Sequence, residues 1–228
     1  MPGGPRSPVC RAARSVLEPS VTLLFCLAMA GVTGCSFLKP AQPTARHFVL
    51  MPIPASESAG TASDSLAVGV GQVKLPVYLF NTSVAVRQGT NEIQYLPSAV
   101  WAERLAAGFQ RVLAANLAVI LPSDRIHLSA WQKNDVAAEI QVTVEQFDVD
   151  TSGRGTLLAR WRILSPGGEK IFKAGTSRLS RPGPSPESNV SGAVATLSEL
   201  VADFSRQLAQ ALREAAPAIV PTSSSANK

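Results

Sequence analysis

Two stretches of this 228-residue chain repeat apolar residues at spacings of three and four, and they frame a block that alternates residue by residue. Few architectures satisfy both patterns at once. In residues 100–121 the recurring positions are Trp101, Leu105, Phe109, Val112, Leu113, Leu117 and Ile120; in residues 190–212 they are Val190, Val194, Leu197, Val201, Phe204, Leu208 and Leu212. A stripe of this kind lets a helix lie along a sheet while its other side stays in water. Between them, residues 139–148, 156–164 and 170–179 read as strands joined by turns at Thr151-Ser152-Gly153 and Pro166-Gly167-Gly168. In the middle strand Leu157, Ala159, Trp161 and Ile163 share one face and Arg160 and Arg162 the other, the alternation of a half-buried antiparallel sheet.

Upstream, residues 46–51 predict a first strand ended by Pro52 and Pro54, residues 55–65 a mobile loop, and residues 66–73 another strand. Residues 84–88 and 92–96 flank Gly89-Thr90-Asn91, which predicts a hairpin. Pro97-Ser98 is then expected to stop the strand and cap the first helix, with Trp101 opening its apolar stripe, until Pro122 ends it. Residues 125–129 form a short strand and the Pro- and Ser-rich residues 180–188 a loop. The Pro, Ala and Ser composition from Ala215 onward predicts a disordered tail. The expected class is α/β: a single three-layer α/β domain over residues 46–213, with a mixed sheet containing an antiparallel meander, two main amphipathic helices, and a tail at 214–228.

The first residues have a different logic. Arg6, Arg11 and Arg14 precede an uncharged apolar run over residues 21–32, a length suited to the core of an export signal and short of the roughly 20 residues a spanning helix needs. Val32-Thr33-Gly34-Cys35 follows, and it is similar to the lipobox read by lipoprotein signal peptidase: a branched apolar residue, two small residues that admit the peptidase to the backbone, and a thiol to which diacylglycerol is joined. An uncleaved anchor helix and a plain secretory signal are the competing readings. Residues 1–34 are thus expected to be a lipoprotein signal peptide, with Val32, Thr33 and Gly34 flanking the cut and Cys35 lipidated. Residues 35–45 then form a tether of at most about 36 Å per ten residues. Ser36 stands where an Asp retains lipoproteins in the inner membrane of Gram-negative bacteria, so the expected location is the periplasmic face of the outer membrane. Acyl chains such as palmitate contribute about 0.8 kcal/mol per CH₂, so a triply acylated cysteine holds firmly to a phospholipid membrane.

Removing residues 1–34 takes three arginines and one acid from a formal +5, leaving +3. That is too little for a nucleic-acid binder. Cys10 and Cys26 leave with the signal and Cys35 is consumed by lipid, so stability must come from a core rather than from disulfides. A search for chemistry gives no catalytic residues, metal site or cofactor. His47 and His127 sit in separate strands without ligands at metal spacing. Gly69-Val70-Gly71 opens like a dinucleotide loop but has Lys at position 74, and neither a Walker-type loop nor a Gly-x-Ser-x-Gly elbow occurs. Asp148 and Asp150, beside a hairpin turn, are read as turn chemistry rather than paired catalytic carboxylates. Trp131 and Trp161 are either packing residues or the lining of a lipid-accepting groove. Trp131, with Tyr78 and Phe80, is the candidate groove or partner surface.

Residues 68–79 (Val-Gly-Val-Gly-Gln-Val-Lys-Leu-Pro-Val-Tyr-Leu), Val86-Arg87 with Asn91-Glu92-Ile93, Trp101-Ala102-Glu103, the run 111–117, Gln146-Phe147-Asp148 and Ala159-Arg160-Trp161 together resemble the PqiC/YmbA family of ABC-type transport auxiliary lipoproteins. The resemblance covers nearly all of residues 46–212. It implies a compact three-layer α/β domain somewhat like the N-terminal domain of TolB. It also implies an outer-membrane lipoprotein working with a PqiB-like, membrane-anchored MCE-domain protein in lipid transport between the two membranes, with ring-forming homo-oligomers among its members. The family brings no catalytic residues. Two departures bear on partner contacts: Phe80-Asn81-Thr82 stands where the family often has Asp-Arg-Pro, and Val100 where an Arg usually precedes the Trp. The leading expectation is a non-enzymatic subunit docking the periplasm-spanning MCE protein. The alternative is a stand-alone periplasmic lipoprotein that binds lipid or a small molecule.

Overall fold

A computed structural model describes residues 44–55, 66–121, 125–128 and 131–220. The expected signal peptide, the lipobox with Cys35 and most of the tether, the loop at 56–65 and the end of the chain at 221–228 lie outside the described residues. Among those described, eight strands form one mixed sheet: β1 (Arg46–Phe48), β2 (Val68–Val70), β3 (Ser83–Arg87), β4 (Ile93–Trp101), β5 (Ile126–His127), β6 (Ala138–Asp150), β7 (Gly155–Leu164) and β8 (Ile171–Arg181). Two helices, α1 (Leu105–Ile120) and α2 (Val190–Ile219), and a short 3₁₀ turn at Val77–Phe80 complete the fold. The α/β class and the mixed sheet with its antiparallel meander are those expected from the sequence.

β6 is the spine. One edge pairs antiparallel with β7 along almost its whole length, from Glu139 opposite Leu164 to Val149 opposite Gly155, and β7 pairs antiparallel with β8. The other edge is shared in succession. β2 runs parallel to its first half, Val68 to Val70 against Ala138 to Ile140, and β3 runs parallel to its end, Val86 and Arg87 against Val149 and Asp150. Beyond β3 lie β4 and then β1, and beyond β2 lies β5.

Both helices pack on one face of this sheet. Phe109 of α1 meets Phe147 of β6 and Phe204 of α2 edge to face, with ring centroids 5.3 and 6.1 Å apart, the favoured geometry for aromatic quadrupoles. All three are sealed from solvent. Asn116 of α1, fully buried, donates to the Ser205 hydroxyl of α2 (3.1 Å) and accepts from the Ile53 backbone N–H (2.9 Å), so its polarity is matched on both sides. The α2 start is set by Asn189, whose side chain accepts from Gly192 N–H (2.9 Å), a cap that contributes about 1 kcal/mol. On the other face, the third layer among the described residues is the 3₁₀ turn alone, lying over β3, β4 and β6. The rest of that face along β6 and β7 carries Gln141, Thr143, Glu145, Arg160 and Arg162 outward.

Three boundaries differ from the sequence expectation. Pro97-Ser98 does not end a strand and cap a helix, because β4 continues through both to Trp101. Pro97 falls where the β3–β4 pairing slips, Ser83 facing Val100 while Val84 faces Leu96, and a strand tolerates a missing N–H at such an irregularity. Beyond the slip the same strand pairs with β1, from Ala99 opposite Arg46 to Trp101 opposite Phe48. Trp101 therefore closes a strand instead of opening a helix, and α1 starts at Leu105. The expected disordered tail from Ala215 is also corrected in part: α2 continues through Pro217 to Ile219, and Ala215 is buried against the core.

Candidate functional site: a clamped turn beside an apolar cleft

The residues at 76–80 are Pro-Val-Tyr-Leu-Phe. Pro76 brings the chain in extended, and Leu79 N–H closes onto Pro76 C=O at 3.0 Å to make the 3₁₀ turn. One tight turn has to send some side chains in and others out. Leu79 enters the core and Tyr78 is partly buried, whereas Val77 and Phe80 remain 78% and 67% exposed. Large apolar side chains that exposed are not contributing to the core.

The turn is held by a buried charge. Asp148 of β6 points away from the helices and is only 2% exposed. Its Oδ1 accepts from Arg87 Nε (3.1 Å) and Gln146 Nε2 (2.9 Å), and its Oδ2 from Arg87 Nη2 (2.7 Å) and the Tyr78 hydroxyl (2.8 Å). The Tyr78 oxygen in turn accepts from Phe147 N–H (3.3 Å), and Tyr95 of β4 donates to the Tyr78 backbone carbonyl (2.9 Å). Burial first, and the Asp148 carboxylate second, push the Tyr78 phenol well above its ordinary range. The Arg87 guanidinium is likewise raised, chiefly by its bond to Asp148. A fork of Arg on a carboxylate with every acceptor engaged is the arrangement that makes a buried ion pair tolerable.

Beside the turn, a cleft of about 610 Å³ is lined by Leu79, Phe80, Thr82, Trp101, Leu105 and Ala106 among others. Apolar side chains supply most of its walls, and Glu103 and Arg104 stand at it. Glu103 is bound by Arg111 at 2.5 Å. The site thus combines a rigid floor, two protruding apolar side chains and a recess next to them. That arrangement suits capture of an apolar side chain or acyl segment.

The three residues singled out from the sequence do not converge. Tyr78 and Phe80 share the turn, as clamp and as exposed ledge. Trp131 lies against Gly69, where a Cβ would sit 2.6 Å from its ring, and donates to Glu139 Oε1 at 3.3 Å. Glu139 opens β6 and Asp148 is near its end, so Trp131 stands about 30 Å of strand away from the clamp. Trp161 is a packing residue: it is buried beneath the helices, lies over Gly175, where a Cβ would come within 2.5 Å, and donates to Ser177 Oγ at 3.0 Å. His47 and His127 lie in β1 and β5, the two ends of the strand path. Gly69-Val70-Gly71 falls in and just after β2, and the next element is the 3₁₀ turn at Val77–Phe80 rather than an α-helix. Among the described residues no three His, Cys, Asp or Glu gather to hold a metal ion, and no helix is long and apolar enough to cross a membrane.

Asp148 is the residue that the sequence reading misplaced. Asp150 does perform turn chemistry, accepting from Arg154 N–H (2.9 Å) and Ser152 Oγ (2.6 Å), but Asp148 forms the clamp instead. The available signal was its place in the alternating strand: it falls on the polar side between Phe147 and Val149, too far from the turn to serve it.

The family model described as ABC-type transport auxiliary lipoprotein component matches residues 48–209. No curated protein matches the chain. Among solved structures, a crystal structure of a protein described as uncharacterized aligns with a TM-score of 0.61 at 18% identity, covering 74% of this chain and 99% of its own. A DUF330 protein from Xanthomonas campestris aligns with a TM-score of 0.56 at 16% identity, covering 76% of this chain and 94% of its own. At these identities the likeness is one of fold.

Proposed function

The chain belongs to the family of ABC-type transport auxiliary lipoprotein components, and from that membership we propose a non-enzymatic subunit, lipidated at Cys35 and held at the periplasmic face of the outer membrane, that docks a periplasm-spanning, PqiB-like MCE-domain protein. The family match over residues 48–209 is the observation that carries this reading. The ledge of Val77 and Phe80 beside the Trp101 cleft is the partner contact it favours, because a rigidly clamped turn presenting exposed apolar side chains loses little freedom on binding. The absence of the family's charges at 80–82 fits a contact here that relies on apolar area.

The test is capture from native membranes in mild detergent. The protein should bring down an MCE-domain protein of the same organism, and a lipidated protein that captures none would sink the docking reading. Intact-mass analysis of the N-terminus tests the anchor separately: a triacylated cysteine at position 35 is expected, and Cys35→Ser should leave the precursor uncut. The second reading, a stand-alone lipid or small-molecule binder, is favoured only by the cleft of about 610 Å³. It expects saturable uptake of a fluorescent lysophospholipid that Leu105→Trp, by filling the recess, abolishes.

A further inference from the structure

The helix-free face of the meander has its own chemistry. Cross-strand register aligns Gln141, Arg162 and Ala174 in one row, Thr143, Arg160 and Thr176 in the next, and Leu158 with Arg178 beyond. Lys74 joins the second row through its bridge to Thr143. A shallow depression of about 560 Å³ is lined by Lys74, Gln141, Thr143, Arg160, Arg162 and Thr176. All are exposed.

The charge on this face is one-sided. Arg160 is paired with Glu145 at 2.5 Å, whereas Lys74, Arg162 and Arg178 make no side-chain hydrogen bond or ion pair with any described residue. Several cations elsewhere are matched by acids: Arg111 with Glu103, Lys133 with Glu169, Lys173 with Glu214, and Arg181 with Glu199 and Asp203. Four cations against Glu145 and Glu139 give the face an excess of two. A flat, polar, unpaired basic surface without exposed large apolar side chains is not built to bury a protein's core contact. It matches a dense, laterally mobile array of phosphates.

We propose that the open face of β6, β7 and β8 rests on anionic phospholipid head groups and so fixes how the anchored domain stands on its membrane. The inference relies on the lipid anchor of the proposed function, which keeps the domain within reach of the surface, but not on the MCE partner. Each cation near such a surface shifts the facing population by about fivefold. The ledge of Val77 and Phe80, on the same side of the sheet but toward the end of β6, is left at the rim of the contact.

The test uses the full lipidated protein in vesicles, with a fluorophore on Thr176→Cys or, as control, on Gln207→Cys of α2, and a headgroup-bound quencher. In vesicles containing phosphatidylglycerol the Thr176 label is quenched and the Gln207 label is not. The difference disappears in phosphatidylcholine vesicles, in high salt, and in the Lys74→Gln, Arg162→Gln, Arg178→Gln triple variant, whose circular dichroism and thermal unfolding stay those of the parent. Equal quenching at both positions, or indifference to lipid charge, overturns the proposal. So does loss of the signal with inorganic phosphate at matched ionic strength, which assigns the depression to a free anion, or a response to polyglutamate and not to vesicles, which assigns it to an acidic protein. Flotation with both vesicle types reports the anchor independently, so failure of that premise is distinguishable.

Discussion

Replacing Asp148 with Ala tests whether the turn carrying Phe80 is held by charge. The carboxylate is 2% exposed and receives four hydrogen bonds, two of them from Arg87, whose side chain is 25% exposed. Breaking a buried pair by removing one partner costs about 3–5 kcal/mol, because the other charge is left desolvated. Arg87 retains some contact with water, which places the loss near the lower limit, about 3 kcal/mol. Removing both charges with Arg87→Met and Asp148→Leu eliminates that orphan, and only the neutral Tyr78 hydroxyl and Gln146 amide then lose their acceptor, at about 1 kcal/mol each. Urea unfolding followed by far-UV circular dichroism gives the two numbers, provided the m-value is unchanged. Hydrogen exchange localises the effect. Amides of residues 77–82 should exchange faster in Asp148→Ala, while those of the Phe109, Phe147 and Phe204 layer keep their relative protection. A single variant losing under about 1 kcal/mol, or a double variant as damaged as the single, would refute the clamp.

Other outcomes follow from the same geometry. The Tyr78 phenol is raised by burial and by Asp148, so folding favours its protonated form. The stability this supplies is present below the unfolded phenol value of about 10 and drains away as pH rises beyond it. Alkaline unfolding monitored by circular dichroism should show that loss in the parent, and Tyr78→Phe should lessen it. Phe109→Ala opens a cavity between the helices and the sheet and should cost about 4 kcal/mol in the same urea assay. Phe80→Asp, at a 67% exposed position, should change stability by no more than about 0.5 kcal/mol while removing MCE-protein capture from detergent extracts.

Much of the fold was legible because periodicity reports burial directly. The stripe from Leu105 to Ile120, the one from Val190 to Leu212, and the inward set Leu157, Ala159, Trp161 and Ile163 all face the core as their spacing required. Proline was the misleading residue. Pro97 sits at a slip in strand pairing, where its missing N–H costs little, and Pro217 lies inside the second helix near its end, so neither acted as the stop its type implies. The clamp was less legible for a different reason. Tyr78, Arg87 and Asp148 come from separate parts of the chain, and nothing local to any of them announces the others. The parallel pairing of β3 with β6 is what brings Arg87 to Asp148, and parallel pairing leaves no turn in the sequence to mark it. Phe80 drew notice as part of Phe80-Asn81-Thr82, where the chain departs from the charges of the family it resembles, and it is exposed, while Trp131 proved to be a cover over Gly69.

The double use of one edge of β6 also sets a timetable. On the side facing β6, Val68 finds its neighbour at Ala138, and Val86 at Val149. A polypeptide delivered amino end first therefore completes the β3–β4 hairpin early but leaves the β6-facing edge of β2 waiting, with unsatisfied backbone, until the later strand arrives. Such distant pairings are slow and exposed to misassociation. A holding chaperone would be most needed during that interval, and truncation before Asp150 should yield an aggregating fragment rather than a smaller domain.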